Sequence, residues 1–228
     1  MDEVVEKFGI YDLMGIWGPG AITVTYFYFT MNSNIIMIFR SLNIILPNIS
    51  EQYKLIILYT AVAYVTGIIL HETGRLITEH LKCFRTQKIK KLAYNGEISR
   101  GIGYRIKNQY KKIIEETIHD EIEYREMKFD EAISYLKYVS QTGTTQIDKY
   151  HSIYALARSL SICFMSHAAI YSIGTIIANN AGKITCIVVI FDLIMLFLFW
   201  ERSYRYFCMW VRNVFIQYYL VKLKCDAC

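Results

Sequence analysis

His167 and Asp192 stand where ionisable side chains are expensive. Each interrupts one of two long apolar runs that together cover residues 152 to 202 and hinge at Ala178-Asn179-Asn180-Ala181-Gly182-Lys183. Each run is close to the ~20 residues that carry a helix across a bilayer, so the two read as a transmembrane hairpin. With Asn180 as the tip, His167 lies 13 residues before it and Asp192 lies 12 after it. At a rise of ~1.5 Å per residue both sit roughly 18 to 20 Å from the tip and are expected to meet. Arg158, 22 residues before the tip, and Glu201, 21 after it, are expected to form a second pair near the opposite membrane surface. An unpaired charge in hydrocarbon costs on the order of 3 kcal/mol, so Asp192 is expected to face inward. Two roles are open to the His167–Asp192 pair: holding two helices in register, or lining a polar path. Arg158 and Glu201 fit a simpler role at headgroup level, where long side chains fix the depth of a helix.

Other spacings that could carry chemistry fail on inspection. His71-Glu72 starts a zinc-protease pattern, but Arg75 occupies the place of the second histidine. Glu116-Thr117-Ile118-His119 has the Glu-x-x-His spacing of a di-iron helix but no second copy to complete the site. Cys225-Asp226-Ala227-Cys228 is a single C-x-x-C, and a structural zinc site needs two such pairs. Ser166 and His167 are adjacent, so on a helix they point apart and cannot form a nucleophile–base pair. Enzymatic chemistry is therefore not expected, and neither a metal nor a cofactor is.

The elements that must position the buried pair follow from composition. With 54% hydrophobic residues and a positive mean hydropathy, the 228-residue chain reads as an all-α integral membrane protein with one small helical cytosolic region. Its six cysteines are scattered and imply no disulfide framework. The acidic start Met1-Asp2-Glu3-Val4-Val5-Glu6 lacks the basic region of a cleaved signal peptide. Four transmembrane helices are expected. The first runs over residues 19 to 39 from Pro19, with Gly9, Gly15, Gly18 and Gly20 allowing a close approach to a neighbour. Its Thr23, Thr25, Thr30, Asn32, Ser33 and Asn34 suggest a polar side, fit for packing or for pore lining. A connector over residues 40 to 54 leads to the second helix, which begins at Leu55 and continues into the polar stretch ending near Leu81. The hairpin supplies the third and fourth helices, the third starting near Gln146 behind a Thr142-Gly143-Thr144-Thr145 cap. Four regions result: residues 1–82 with the lead-in and helices one and two, 83–145 cytosolic, 146–203 with helices three and four, and 204–228. The last is either a packed extension of helix four or an interfacial amphipathic helix.

Between Lys82 and Lys112 there are ten Lys or Arg and one acid, Glu97. Short loops so basic stay in the cytoplasm, and Arg202, Arg205, Arg212, Lys222 and Lys224 put the C-terminus on the same side, so both termini are expected to be cytoplasmic. Lys88, Lys90, Lys91, Arg100, Arg105, Lys107, Lys111 and Lys112, interleaved with Tyr94, Tyr104 and Tyr110, could hold a nucleotide or oligonucleotide by charge and stacking. The same charges also satisfy topology and contact with anionic lipid. From Glu115 to Glu131 the balance turns acidic, and the two halves could dock on each other. Ile106, Tyr110, Ile113, Ile114 and Ile118, then Phe129, Ala132, Ile133, Leu136 and Val139, follow helical spacing and suggest a small helical hairpin.

The segment Tyr11-Asp12-x-x-Gly15-x-x-x-Pro19-Gly20, with Ala63-Tyr64-Val65-Thr66-Gly67 and Asp148-Lys149-Tyr150-His151 leading to Arg158, resembles a class of small four-helix prokaryotic membrane proteins. Members of that class are often linked to antiviral defence, where nucleotide-coupled membrane effectors oligomerise and disrupt the bilayer. The resemblance implies a homo-oligomeric effector in the bacterial inner membrane, forming an ion-conducting pore gated by a cytosolic nucleotide or oligonucleotide. The alternative is a non-conducting membrane anchor or sensor for a cytosolic defence partner protein.

Overall fold

The computed structural model describes residues 12–30, 51–80, 86–94, 104–123, 125–140, 145–177 and 182–226. Among these, every regular element is helical. A π-helical turn, Asp12–Trp17, leads into α1, Gly18–Thr30; α2 is Glu51–His80, α3 Thr86–Tyr94 and α4 Tyr104–Glu116. A second π-helical stretch, Thr117–Glu123, continues α4, and α5 is Phe129–Val139, α6 Thr145–Ile177 and α7 Lys183–Asp226. The chain divides into two units, one of Met1–Leu76 with Ser152–Ser203 and one of Ile77–His151 with Tyr204–Cys228.

Three helices are long and apolar enough to cross a membrane, within Leu55–Thr78, Ile147–Ile176 and Lys183–Lys222. Four spans were expected. The first of them is helical as far as Thr30, and residues 31 to 50 lie outside the described residues, as does the expected cap before α6. Helix α2 starts at Glu51, so residues 51 to 54, expected in a connector, belong to the helix.

In the first unit α6 is the most enclosed helix, and its composition explains why. Ser152, Ala155, Ala157, Ser159, Ser161, Cys163 and Ala168 are all buried. Small side chains let neighbouring backbones approach, which is how helices gain contact area where lipid removes the hydrophobic drive. Helix α7 is the opposite, with Ile184, Ile187, Ile190, Leu193, Ile194, Phe197 and Leu198 exposed on its apolar half. The N-terminal segment and α2 cross with their backbones in close approach. A Cβ added to Gly20 would run into the Ala63 carbonyl, and one added to Gly67 would run into the Ile16 carbonyl. The two glycines, each facing the other segment's backbone, make one contact without side chains.

The second unit is more than the two-helix hairpin expected. Ile89 and Leu92 of α3, Tyr110 and Ile114 of α4, Ile118 and Ile122 of the π stretch and Ala132, Ile133 and Leu136 of α5 are buried. So are Phe207, Val211, Val214, Phe215, Tyr218 and Tyr219 of α7. The end of α7 is thus a continuous helix buried on the loop helices: Phe207 meets Phe129 at 5.3 Å and Tyr219 meets Tyr110 edge-on at 5.8 Å between ring centroids. The Tyr110 hydroxyl donates to the Ala93 carbonyl (3.3 Å), and Tyr94 donates to that of Lys111 (3.2 Å), fastening α3 to α4. Burial pushes the Tyr110 phenol well above its usual range. Before α5 the chain turns through Glu126 at φ 51°, and the Glu131 carboxylate accepts from the Lys128 N–H (3.1 Å) to cap the helix.

Gly67→Ala should separate the two segments at their closest point. The expected loss is about 1–3 kcal/mol, typical of overpacking, and Gly20→Ala in the same chain should add less than its separate effect because both relieve one contact. Unfolding of the purified protein in mixed micelles reads both quantities.

Candidate functional site

The buried pair sits where α1, α6 and α7 meet in the first unit. Helix α6 delivers His167 and α7 delivers Asp192, and both side chains are fully buried. His167 Nδ1 lies 2.6 Å from Asp192 Oδ2. Helix α1 completes the arrangement: the Tyr26 hydroxyl donates to Asp192 Oδ1 (2.7 Å), and Thr30 Oγ1 lies 2.8 Å from His167 Nε2. Thr30 is anchored in turn by donating to the Tyr26 carbonyl (2.8 Å), a back-bond typical of threonine in apolar helices. Both carboxylate oxygens and both ring nitrogens therefore have partners, all supplied by one chain.

Aromatic rings surround the imidazole. Tyr26 packs at 4.4 Å, Phe27 edge-on at 4.9 Å and Tyr171 in parallel at 5.5 Å between centroids. Phe164 extends the wall, touching Tyr26 and stacking on Phe199. In so apolar a shell an imidazolium–carboxylate pair has no net charge, whereas a lone carboxylate would carry its full desolvation penalty. Chemically, the arrangement can hold three helices together.

Compared with protein-family models, with curated proteins and with solved structures, the chain has no significant match.

The second expected pair is built differently. Arg158 is buried on α6, with Nη1 donating to the Tyr154 hydroxyl (3.1 Å) and Nη2 to the His71 carbonyl (3.5 Å), while Glu201 is exposed on α7. On α2, Glu72 pairs with Arg75 at 2.9 Å at the surface, and the mostly buried His71 lies 3.5 Å from the same carboxylate. His119 of the Glu-x-x-His spacing is exposed beside Glu123 at 3.4 Å. Among the described residues no three His, Cys, Asp or Glu converge to hold a metal.

The basic residues of the loop are spread over two helices. Lys88 and Lys91 of α3 are exposed, Lys90 reaches Glu115 at 3.5 Å, and Lys112 reaches Glu116 at 3.7 Å. Lys111 stands over the Tyr94 ring at 5.7 Å. Arg100 and the side chains of Arg105 and Lys107 lie outside the described residues. The acidic run thus meets the basic one, and part of the charge expected to face a ligand faces glutamates instead.

Tyr26 is the participant that sequence reasoning missed. Thr30 was visible only as one of several polar residues on the first helix, although its i,i+4 spacing from Tyr26 places both on one face. Asp192→Ala would leave His167 buried without its partner and should cost about 3 kcal/mol or more of stability; Tyr26→Phe, which removes one hydrogen bond to a charged group, should cost about 1.5–3 kcal/mol. Both are measured by unfolding in mixed micelles. A loss near zero for both would show that the pair does not hold the helices together.

Proposed function

We propose that this is a multi-pass protein of the bacterial inner membrane whose first unit is a closed, non-conducting anchor and whose second unit is a binding module for a cytosolic partner protein. The observation that carries the reading is the saturation of Asp192 and His167 within one chain, since groups already paired on every side offer an ion nothing. Cytoplasmic placement of both termini is supported by the Lys- and Arg-rich stretch between residues 82 and 112 and by the basic end of α7. The setting in antiviral defence is supported by the resemblance that residues 11–20, 63–67 and 148–151 carry.

One feature favours the homo-oligomeric pore as a second reading. Thr25 and Tyr59 form an exposed polar pair at 2.9 Å on α1 and α2, within otherwise apolar surface, where copies of the chain could gather around water. In that reading the basic residues of α3 and α4 would take a nucleotide or oligonucleotide as the gate.

Flux of a small cation through liposomes containing the purified protein separates the two. Native protein should conduct no more than empty liposomes, with or without nucleotides or short oligonucleotides, and Asp192→Asn should change stability without creating flux. A native current that depends on Asp192 and shifts with a nucleotide would replace the anchor with the pore.

A further inference from the structure

The C-terminal end of α7 has two sides. Phe207, Val211, Val214, Phe215, Tyr218 and Tyr219 are buried in the second unit. On the opposite side Met209 and Leu220 are 36% and 50% exposed, and Asn213 and Ile216 between them are partly exposed. These four stand at i, i+4, i+7 and i+11, the alternating four-and-three spacing of a coiled-coil seam. Tyr206, three residues before Met209, extends the spacing with its ring 6.2 Å from that of Tyr150, and in sequence Leu223 extends it at the other end. At 3.6 residues per turn Val211 and Tyr218 fall on the far side of the helix from the stripe, so packing on the loop helices leaves it facing outward.

What covers the stripe follows from where it stands and what it contains. The apolar half of α7 ends at Trp200, followed by Glu201 and Arg202, and the helix continues without a break to Asp226. An unbroken helix leaves a bilayer in the direction in which it crossed, so the stripe stands beyond the hydrocarbon rather than along its surface. Copies of one chain inserted in the same sense leave the membrane parallel, which brings the same stripe of each to the same height. Asn213, in the middle, is a poor residue for a lipid-facing or plainly apolar contact. A single asparagine at an inner position of a coiled coil, by contrast, fixes register and strand number at a cost in stability. Its amide Nδ2 here turns back on its own helix and donates to the Met209 carbonyl (2.7 Å). In a parallel pair Arg205 and Arg212, which flank the seam, come opposite Trp210 and Gln217 of the second copy, so no like charges meet.

We propose that the stripe from Met209 to Leu220 is a homodimer seam, through which two copies of the chain join their α7 ends in a short parallel coiled coil outside the bilayer. Leucine and isoleucine in the order of Ile216 and Leu220 also suit three or four strands, but larger coils use the flanks of the seam as well. Val214, Phe215 and Tyr219 on those flanks are already buried within their own unit, which leaves a face of two-stranded width. The dimer goes beyond the anchor reading and holds whether or not the chain conducts.

Cysteine crosslinking in isolated membranes tests the seam before any detergent is added. Inner positions of a parallel pair face their own copies, so Leu220→Cys should form a disulfide-linked dimer on mild oxidation, in yield several-fold above that of the native chain. Ser134→Cys, also exposed but on α5, should stay at the native level. Adding Ile216→Lys to Leu220→Cys should lower the yield about tenfold, the loss expected when one buried aliphatic side chain is taken from the seam. Where that chain does not fold by circular dichroism, Met209→Ala serves in its place. Crosslinking of Leu220→Cys no higher than that of Ser134→Cys assigns the stripe to lipid or to another protein and overturns the proposal. So does a yield unchanged by Ile216→Lys or Met209→Ala in a folded chain.

Discussion

A carboxylate in an apolar interior must be compensated, and much of the first unit answers that requirement. Asp192 needs a hydrogen-bond donor at each oxygen, so α7 is held where α6 can supply an imidazole and α1 a phenol. These bonds are directional, and they select one rotation and one depth for each of the three helices. Van der Waals contact alone would tolerate sliding. The small residues of α6 then allow the backbones to close around the pair, and the aromatic shell keeps water from competing for it. Polar specificity and apolar contact area thus act at the same level of the bundle.

The second unit rests on a different physics. Its core is an ordinary apolar one, assembled from i,i+3 and i,i+4 stripes on four helical segments, with exposed ion pairs such as Lys90–Glu115 at its margin. Pairs so exposed contribute little to stability, and their main effect is to lower the charge that a ligand would meet. The tyrosines have more weight. Tyr94 and Tyr110 each donate to the other helix's backbone, which ties α3 to α4.

Much of this was legible in the sequence wherever geometry is regular. Counting residues from Asn180 anticipated the level at which His167 meets Asp192, because two helices with the same rise keep the same depth from a shared tip. The stripes through Tyr110, Ile114 and Ile118 and through Ala132, Ile133 and Leu136 indicated the faces that are buried, because helical periodicity is local. Tyr26 was not legible. Its role depends on how α1 is rotated against two helices more than a hundred residues away in sequence, and a tyrosine in an apolar run looks like any other interfacial ring. The Gly20–Gly67 crossing was visible only as small residues, since the partner of each glycine is a carbonyl that leaves no mark in the sequence. The fate of Lys90 was hidden because its partner Glu115 lies on another helix, whereas Lys112–Glu116 follows the i,i+4 spacing of a single one.

The contrast between α6 and α7 also bears on biosynthesis. Strong apolar character along the first half of α7 suits a segment that partitions into lipid unaided. Helix α6, with Arg158, His167 and its buried serines, is less apolar and gains less from hydrocarbon. Only five residues separate the less apolar helix from the more apolar one in sequence. The cost of burying His167 and Asp192 falls when the two helices enter an apolar phase as a pair, because each then meets its partner.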